Sequence, residues 1–402
     1  MNINKKLINI YSFMLGLFGF SMLGQYIQLN VLKLPFYFVE LFFIPVILMN
    51  LSSILGIFNR VRYSTVFLLV FIFMSMLSNI LNTGELFSAI FSYRAILYLL
   101  FFMCYFRLYK KDIPLNLVFT IVLGAICGEL VYVLIFSTSL VTSSVNCLAI
   151  AIAIWIPYLQ KKYFLTVLIV MITLFLAINT GFRIGIIVVA FTILNLFLYS
   201  LINGKQYRRL RQKFKIVLFF GLGFCGLVLF ISNLNFIIEK IASITGMSSF
   251  AIFRVTTRLE SLITLDFSTS QDIGRLDMFI VFFERIWNII PRGLIGSVEG
   301  GLEYSYYIDT PPLYLFDIFG SVMTILIYLY FSLLFIMFAK HRIINNQIEI
   351  LSVWLIPLLG MLSLTNGTFM VNSGQAIMTG IILGYVTRKK KKYGKEREFE
   401  HK

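Results

Sequence analysis

The sequence predicts an all-α polytopic membrane protein with about twelve transmembrane helices and one large external loop that contains amphipathic helices. Three observations support this fold class. The chain is 59% hydrophobic and 13% charged, with a mean hydropathy of +0.90, whereas roughly a quarter of the residues of a soluble domain are charged. Apolar runs long enough to span a membrane recur along the chain. The basic residues concentrate in alternate polar interruptions, as the positive-inside rule requires.

The apolar runs divide the chain into four parts. Residues 1–233 hold nine predicted spans, residues 234–312 form the external loop, residues 313–387 hold three more spans, and residues 388–402 form a basic cytoplasmic tail. We expect the spans at 7–24, 36–58, 64–81, 87–106, 115–136, 143–159, 164–179, 184–202, 214–232, 313–339, 350–365 and 374–387. The first span follows Lys5 and Lys6 but has no small-residue cleavage site after it, which predicts a retained signal anchor.

The distribution of basic residues predicts the topology. With the N-terminus in the cytoplasm, the inner segments hold most of the 34 lysines and arginines, including a cluster at 205–215 and the tail. Such a one-sided distribution predicts an even number of spans with both termini cytoplasmic. Topology and attraction to anionic lipid headgroups explain the net charge of +16, so we expect no nucleic-acid partner. The four cysteines stand singly in apolar runs, which indicates neither a disulfide framework nor a zinc site.

The external loop has mixed charge and carries arginine where the topological rule does not favour it. Two stretches, 249–265 and 275–290, place apolar residues at helical spacing and predict amphipathic helices at the membrane interface; Pro291 ends the second. A guanidinium presents a rigid fork of donors, which suits bidentate phosphate binding better than the point charge of lysine does. The composition of the loop therefore favours a surface domain that recognises phosphate over a slack linker.

Three motifs carry a resemblance to a known family. N-T-G-F-R-I-G at 179–185 has an arginine at the external mouth between two spans, G-R-L-D-M-F at 274–279 is followed by P-R-G-L-I-G at 291–296, and D-T-P-P-L-Y-L-F-D-I-F-G at 309–320 opens the next span. With the late external loop, these motifs resemble the O-antigen polymerase and O-antigen ligase family of bacterial envelope polysaccharide assembly. The resemblance implies a membrane-integral glycosyltransferase fold of the C type. It also implies glycan transfer from a polyprenyl pyrophosphate carrier to a sugar hydroxyl at the outer membrane face.

Arginines are the expected ligands of the pyrophosphate, because the negative charge that develops on this leaving group needs cations or hydrogen-bond donors close to it. The resemblance assigns this role to Arg183 and Arg275. The competing interpretation of Arg183 is a snorkelling anchor at a helix end, and that of Arg275 is a solvated charge on a helix face. Arg94 lies inside a span, where a charge needs a partner or a wet cavity, and we expect it to contribute to the pyrophosphate site. Glu129, at mid-span, is its candidate partner, while Glu40 and Glu85 lie nearer helix ends.

The expected base is a carboxylate of the external loop. Ligases of the family present a histidine on this loop, whereas the histidines of this chain, His341 and His401, both fall on the predicted cytoplasmic side. Asp309 stands where that histidine is expected, and Glu303 and Glu299 are the alternatives. The competing interpretation of Asp309 is a turn residue before Pro311. The missing histidine favours a polymerase over a ligase.

The resemblance thus implies a polymerase that joins undecaprenyl-pyrophosphate-linked oligosaccharide repeat units into O-antigen, capsular polysaccharide or exopolysaccharide, with inversion at the anomeric carbon. We expect it in the bilayer of the bacterial cytoplasmic membrane, with a chain-length regulator and a flippase as partners and with neither cofactor nor metal. Two alternatives stay open. One is a ligase-type transferase to another acceptor; the other is a non-enzymatic transporter of the lipid-linked unit, against which the two halves show no matching Gly- or Pro-broken spans.

Overall fold

The computed structural model describes residues 5–33, 38–49, 63–84, 86–108, 113–136, 146–179, 183–203, 283, 286–287, 289–294, 311–341, 346–365 and 372–388. Over these ranges the chain is helical and contains no strand, which confirms the prediction of an all-α chain for this part. The helices are α1 (Lys5–Met14), α2 (Met22–Tyr26), α3 (Phe38–Met49), α4 (Tyr63–Thr83), α5 (Leu86–Leu108), α6 (Leu115–Phe136), α7 (Cys147–Leu159), α8 (Tyr163–Asn179), α9 (Arg183–Asn203), α10 (Pro311–Phe319), α11 (Ser321–His341), α12 (Gln347–Trp354), α13 (Ile356–Thr365) and α14 (Ser373–Val386). The predicted span 214–232, the helix predicted at 249–265 and the tail beyond residue 388 lie outside the described residues, as does most of the helix predicted at 275–290.

The described helices are compatible with a membrane protein. Two stretches, Leu115–Ile135 and Gln347–Leu364, are long and apolar enough to cross a bilayer, and the bent pair of α10 and α11 makes a third if it is one span. Shorter apolar helices account for most of the other predicted runs. Large apolar side chains are exposed along one face of α4, at Val66, Val70, Phe73 and Leu77, as a lipid-facing surface requires. The count of twelve spans stays a prediction.

Helix α7 forms the centre of the bundle. Every residue from Cys147 to Pro157 is buried, and the Trp155 ring lies 5.5 Å from that of Tyr199 and 6.3 Å from that of Trp354, between ring centroids. The helix begins later than the predicted residue 143 because the Asn146 side chain caps it, accepting the Ala149 N–H at 3.0 Å. A helix that is apolar on all sides is typical of a fully surrounded position.

Paired small residues allow the closest helix contacts. Gly380 and Gly384 on α14 face α5, and a Cβ on Gly384 would lie only 2.8 Å from the Met103 carbonyl oxygen. Gly124 and Gly128 on α6 face the first helix in the same way, against Phe13 and Ser21. Both pairs have the four-residue spacing that lets membrane helices approach backbone to backbone.

Two predicted spans are interrupted. The run 7–24 was expected to be one helix, but α1 passes into a π-helical turn, Leu15–Gly19, and the chain restarts at Met22 with Ser21 as the cap. The run 313–339 bends by 119° between α10 and α11. Gly320 makes this bend at a φ of +76°, where a Cβ would collide with the Ile289 carbonyl oxygen. The partners that cause both breaks are distant in sequence, so periodicity alone could not reveal them.

Candidate functional site

The structure describes only part of the predicted site. Arg94 is described in full, and Arg183 is the first residue of α9, although its side chain is outside the description. Arg275, Glu299, Glu303 and Asp309 lie outside the described residues. The predicted assembly of these residues around one pyrophosphate therefore stays a prediction.

Arg94 on α5 forms an ion pair with Glu40 on α3. The guanidinium Nη1 lies 3.9 Å from the Glu40 Oε1, and the two side chains are 22% and 18% exposed. The Tyr98 hydroxyl, one turn further along α5, also hydrogen-bonds the Glu40 side chain. The partner of Arg94 is thus Glu40 and not the predicted Glu129, while Glu85 lies outside the described residues. Glu129 faces another part of the bundle, where its Oε1 accepts the Met22 N–H at 3.3 Å.

Residues 292–294, within the predicted external loop, contact α4, α5 and α10. The Gly293 N–H donates to the Asp317 carbonyl of α10 at 3.1 Å, and the Leu294 N–H donates to the Tyr93 hydroxyl at 3.0 Å. Tyr93, fully buried, is the neighbour of Arg94 on α5. These contacts hold part of the P-R-G-L-I-G motif, including the exposed Arg292, against α5, which carries Arg94, and against α10. We call this region the loop junction: residues 289–294 with Ser75, Ser78, Tyr93 and Asp317.

A relay of hydroxyl groups fixes the direction of hydrogen bonding at the loop junction. Ser75 on α4 donates to the Asp317 carbonyl at 3.0 Å, so the Tyr93 hydroxyl, 2.6 Å from the Ser75 Oγ, is the donor in that contact. The Tyr93 oxygen is then the acceptor for the Leu294 N–H. Ser78 also donates to the Arg292 carbonyl. None of these residues was predicted from the sequence, where they are simply a few polar side chains within apolar runs.

Gly293 is the residue that makes this close approach feasible. Its φ is +89°, and a Cβ there would lie 2.8 Å from the Ser75 carbonyl oxygen and 2.9 Å from the Asn79 nitrogen. Other residue types rarely adopt this backbone conformation, and no room remains for a side chain. The glycine of the motif therefore has a packing function.

A large apolar cavity is lined in part by the helices that hold the loop junction. Its volume is about 790 Å³, and it lies among α4, α5, α10, α11, α13 and α14. Leu315 and Phe319 of α10 line it, while Asp317 between them holds the loop. Arg107 and Thr387 lie at its other end, which is cytoplasmic in the predicted topology. A cavity of this size and character suits a hydrocarbon chain.

In the described part of the chain, no three His, Cys, Asp or Glu side chains form a group that could hold a metal ion. Comparison of the chain with family models, with curated proteins and with solved structures gives no match.

Proposed function

We propose that this chain is a membrane glycosyltransferase that polymerises undecaprenyl-pyrophosphate-linked oligosaccharide repeat units. The observation that carries the proposal is the apolar cavity of about 790 Å³ that shares helices α4, α5 and α10 with the loop junction. A lipid-linked donor has a long hydrocarbon tail and a charged head, so its site needs an apolar cavity next to cationic side chains. Burial of apolar surface contributes roughly 25 cal/mol per Å², which makes the tail the main source of affinity.

The head group would be bound by arginines. Arg94 is held by Glu40 near the loop junction, and Arg292 is exposed on the docked segment. Together with Arg183 and Arg275 they would neutralise the pyrophosphate, whose charge grows as the glycosidic bond breaks. In this scheme Glu40 keeps the Arg94 guanidinium oriented between turnovers, and the pyrophosphate competes with the carboxylate for it.

The reaction is a single displacement. The terminal hydroxyl of the acceptor chain attacks the anomeric carbon of the donor sugar, and the bond from that carbon to the pyrophosphate oxygen breaks. Asp309, Glu303 or Glu299 takes the proton of the hydroxyl, and undecaprenyl pyrophosphate leaves with the electron pair. The configuration at the anomeric carbon inverts. A ligase would use the same step with a different acceptor.

A transporter of the same lipid-linked unit is the second candidate. The specific observation in its favour is the interruption of two helices, at Phe20–Ser21 and at Gly320, which the sequence did not reveal. Interrupted helices mark binding sites in many transporters. However, transporters built from two repeated halves have their broken helices at corresponding positions of each half. Here the broken helices are the first and the tenth of the twelve predicted spans, which do not correspond to each other in two halves of six.

Reconstitution separates these candidates. Purified full-length protein in proteoliposomes is given lipid-linked repeat units alone, and the products are resolved by length. A polymerase gives a ladder of longer chains, a ligase gives none without its acceptor, and a transporter moves the unit across the membrane unchanged. Absence of any lengthened product from active, folded protein would overturn the proposal.

A cavity-filling variant tests the site itself. Gly360 on α13 lines the apolar cavity, and an added Cβ meets no atom within 4 Å. We expect Gly360→Phe to fold and to lower polymerisation by about tenfold, because the ring occupies the space of the tail. Leu364→Phe on the same helix is the matched control, since Leu364 is exposed and does not line the cavity. Equal activity of the two variants would contradict the assignment of the tail to this cavity.

A further inference from the structure

A second polar region lies apart from the loop junction, at the break between α1 and α2. A cavity of about 20 Å³ there, which we call the Glu129 cavity, has room for one water-sized particle. Its polar lining comes from four separate parts of the bundle: Ser21, Gln25, Gln28, Glu129, Asn146, Asn372 and Gln375. Main-chain atoms of the interrupted segment, around Gly19 and Phe20, also line it.

The main-chain donors at the helix starts around the Glu129 cavity have acceptors. Three helix N-termini meet here, and each is capped by its own side chain: Ser21 for α2, Asn146 for α7 and Asn372 for α14. The Glu129 Oε1 accepts the Met22 N–H, and the Asn146 N–H also donates to the Glu129 side chain. The capped N-termini therefore leave little demand for a bound anion.

The acceptors, in contrast, are incompletely satisfied. Among the residues that the structure describes, none donates a hydrogen bond to the Glu129 Oε2 or to the Gln375 Oε1. These side chains are only 3% and 2% exposed, so bulk water does not compensate. Two buried acceptors that line one cavity indicate a donor or a cation between them, because a desolvated acceptor without a partner is costly.

The charge of the cavity favours a cation. No lysine, arginine or histidine is among its lining residues in the described ranges, and its one acidic side chain is Glu129. Carboxylate, amide and main-chain carbonyl oxygens are the ligands that hard cations prefer. One carboxylate balances a single positive charge, which favours a monovalent ion. Interrupted helices supply such carbonyl ligands in ion-binding membrane proteins.

We propose that the Glu129 cavity is a binding site for one sodium ion, with the Glu129 Oε2 and the Gln375 Oε1 as its side-chain ligands. The site goes beyond the proposed glycosyl transfer and does not depend on it. It joins α2, α6 and α14 at one point, so the bound ion links the break in the first helix to the rest of the bundle. Binding of the ion therefore raises the stability of this part of the fold.

Direct ion binding tests the site without any substrate. Purified full-length protein in detergent is equilibrated with radioactive sodium ion in a choline chloride buffer, and bound ion is counted over a concentration series. We expect saturation at about one ion per chain and little displacement by potassium, since a cavity this small favours the smaller ion. Sodium chloride should also raise Tm above its value in choline chloride of equal ionic strength.

Three variants make the test specific. Glu129→Gln keeps an acceptor for the Met22 N–H and removes the charge, and Gln375→Leu removes the amide oxygen; we expect either change to weaken sodium binding by at least about tenfold. Glu349→Gln makes the same change of carboxylate to amide on α12, outside the Glu129 cavity, and should bind sodium with the affinity of the unmodified chain. Absence of saturable sodium binding, equal binding of potassium, or equal affinity in Glu129→Gln and Glu349→Gln would each overturn the proposal.

Discussion

Glu40 and Glu129 are both acidic residues within the helical bundle, and they are stabilised in different ways. Glu40 lies 3.9 Å from a guanidinium, and both side chains of the pair remain about one-fifth exposed. Glu129 is 3% exposed and is held by main-chain N–H groups at the starts of two helices. The first carboxylate thus has a side-chain cation as its partner, whereas the second has the backbone.

The difference indicates two kinds of function. A salt bridge between side chains on α3 and α5 can open when a stronger anion arrives, because both side chains have rotamer freedom and some access to water. The N–H donors of Glu129 belong to fixed helix ends, so this carboxylate stays in place. The Arg94–Glu40 pair is therefore suited to exchange its partner for a phosphate, and Glu129 is suited to hold a permanent contact.

The largest effect should follow the loss of the Glu129 carboxylate. Glu129→Leu leaves the Met22 and Asn146 N–H groups buried without an acceptor, and we expect it to destabilise the fold by about 3 kcal/mol. Glu129→Gln retains an acceptor for these N–H groups and should therefore lose clearly less stability than Glu129→Leu. Unfolding in mixed detergent micelles, followed by circular dichroism, compares the two variants. Equal losses would show that charge, and not hydrogen bonding to the helix ends, stabilises this region.

A smaller effect on stability is expected at the exchangeable pair. Arg94→Ala leaves Glu40 partly buried without its guanidinium, which should cost about 1 to 2 kcal/mol, between the values for exposed and buried pairs. The swapped double variant Arg94→Glu with Glu40→Arg should recover most of this stability and still lack polymerisation, since the cation has moved to α3. Recovery of both properties would show that the pair has only a structural role.

Local sequence patterns predicted the elements better than they predicted the site. The run 115–136 was expected as a helix and is one, Leu115–Phe136, because its apolar composition alone determines it. The first span was expected to be continuous and is interrupted, since Ser21 and Glu129 stabilise a new helix start at Met22 and they are brought together only by packing. The bend at Gly320 similarly depends on the distant Ile289.

The same limit applies to the site residues. Arg94 was recognised because a charge inside an apolar run needs a partner, but the choice of Glu40 over Glu129 depends on how α3, α5 and α6 pack. Tyr93 gave no signal, because a tyrosine in an apolar helix is common and its hydrogen bonds to Ser75 and Leu294 join residues far apart in sequence. Long-range packing, and not composition, determines these partners.

The smallest effect on stability, and a specific one, is expected at the loop junction. Tyr93→Phe removes the hydroxyl that accepts the Leu294 N–H and donates to Ser75, and we expect a loss of about 1 kcal/mol, as for a typical buried hydrogen bond. The backbone of residues 292–294 should then exchange its amide hydrogens faster, while the helices of the Glu129 cavity keep their protection. Hydrogen exchange read by mass spectrometry measures both regions in one experiment.

Tyr163→Phe is the matched control, because that tyrosine is exposed on α8. Faster exchange throughout the bundle would mean that Tyr93 stabilises the whole fold, and the two regions would then not be independent.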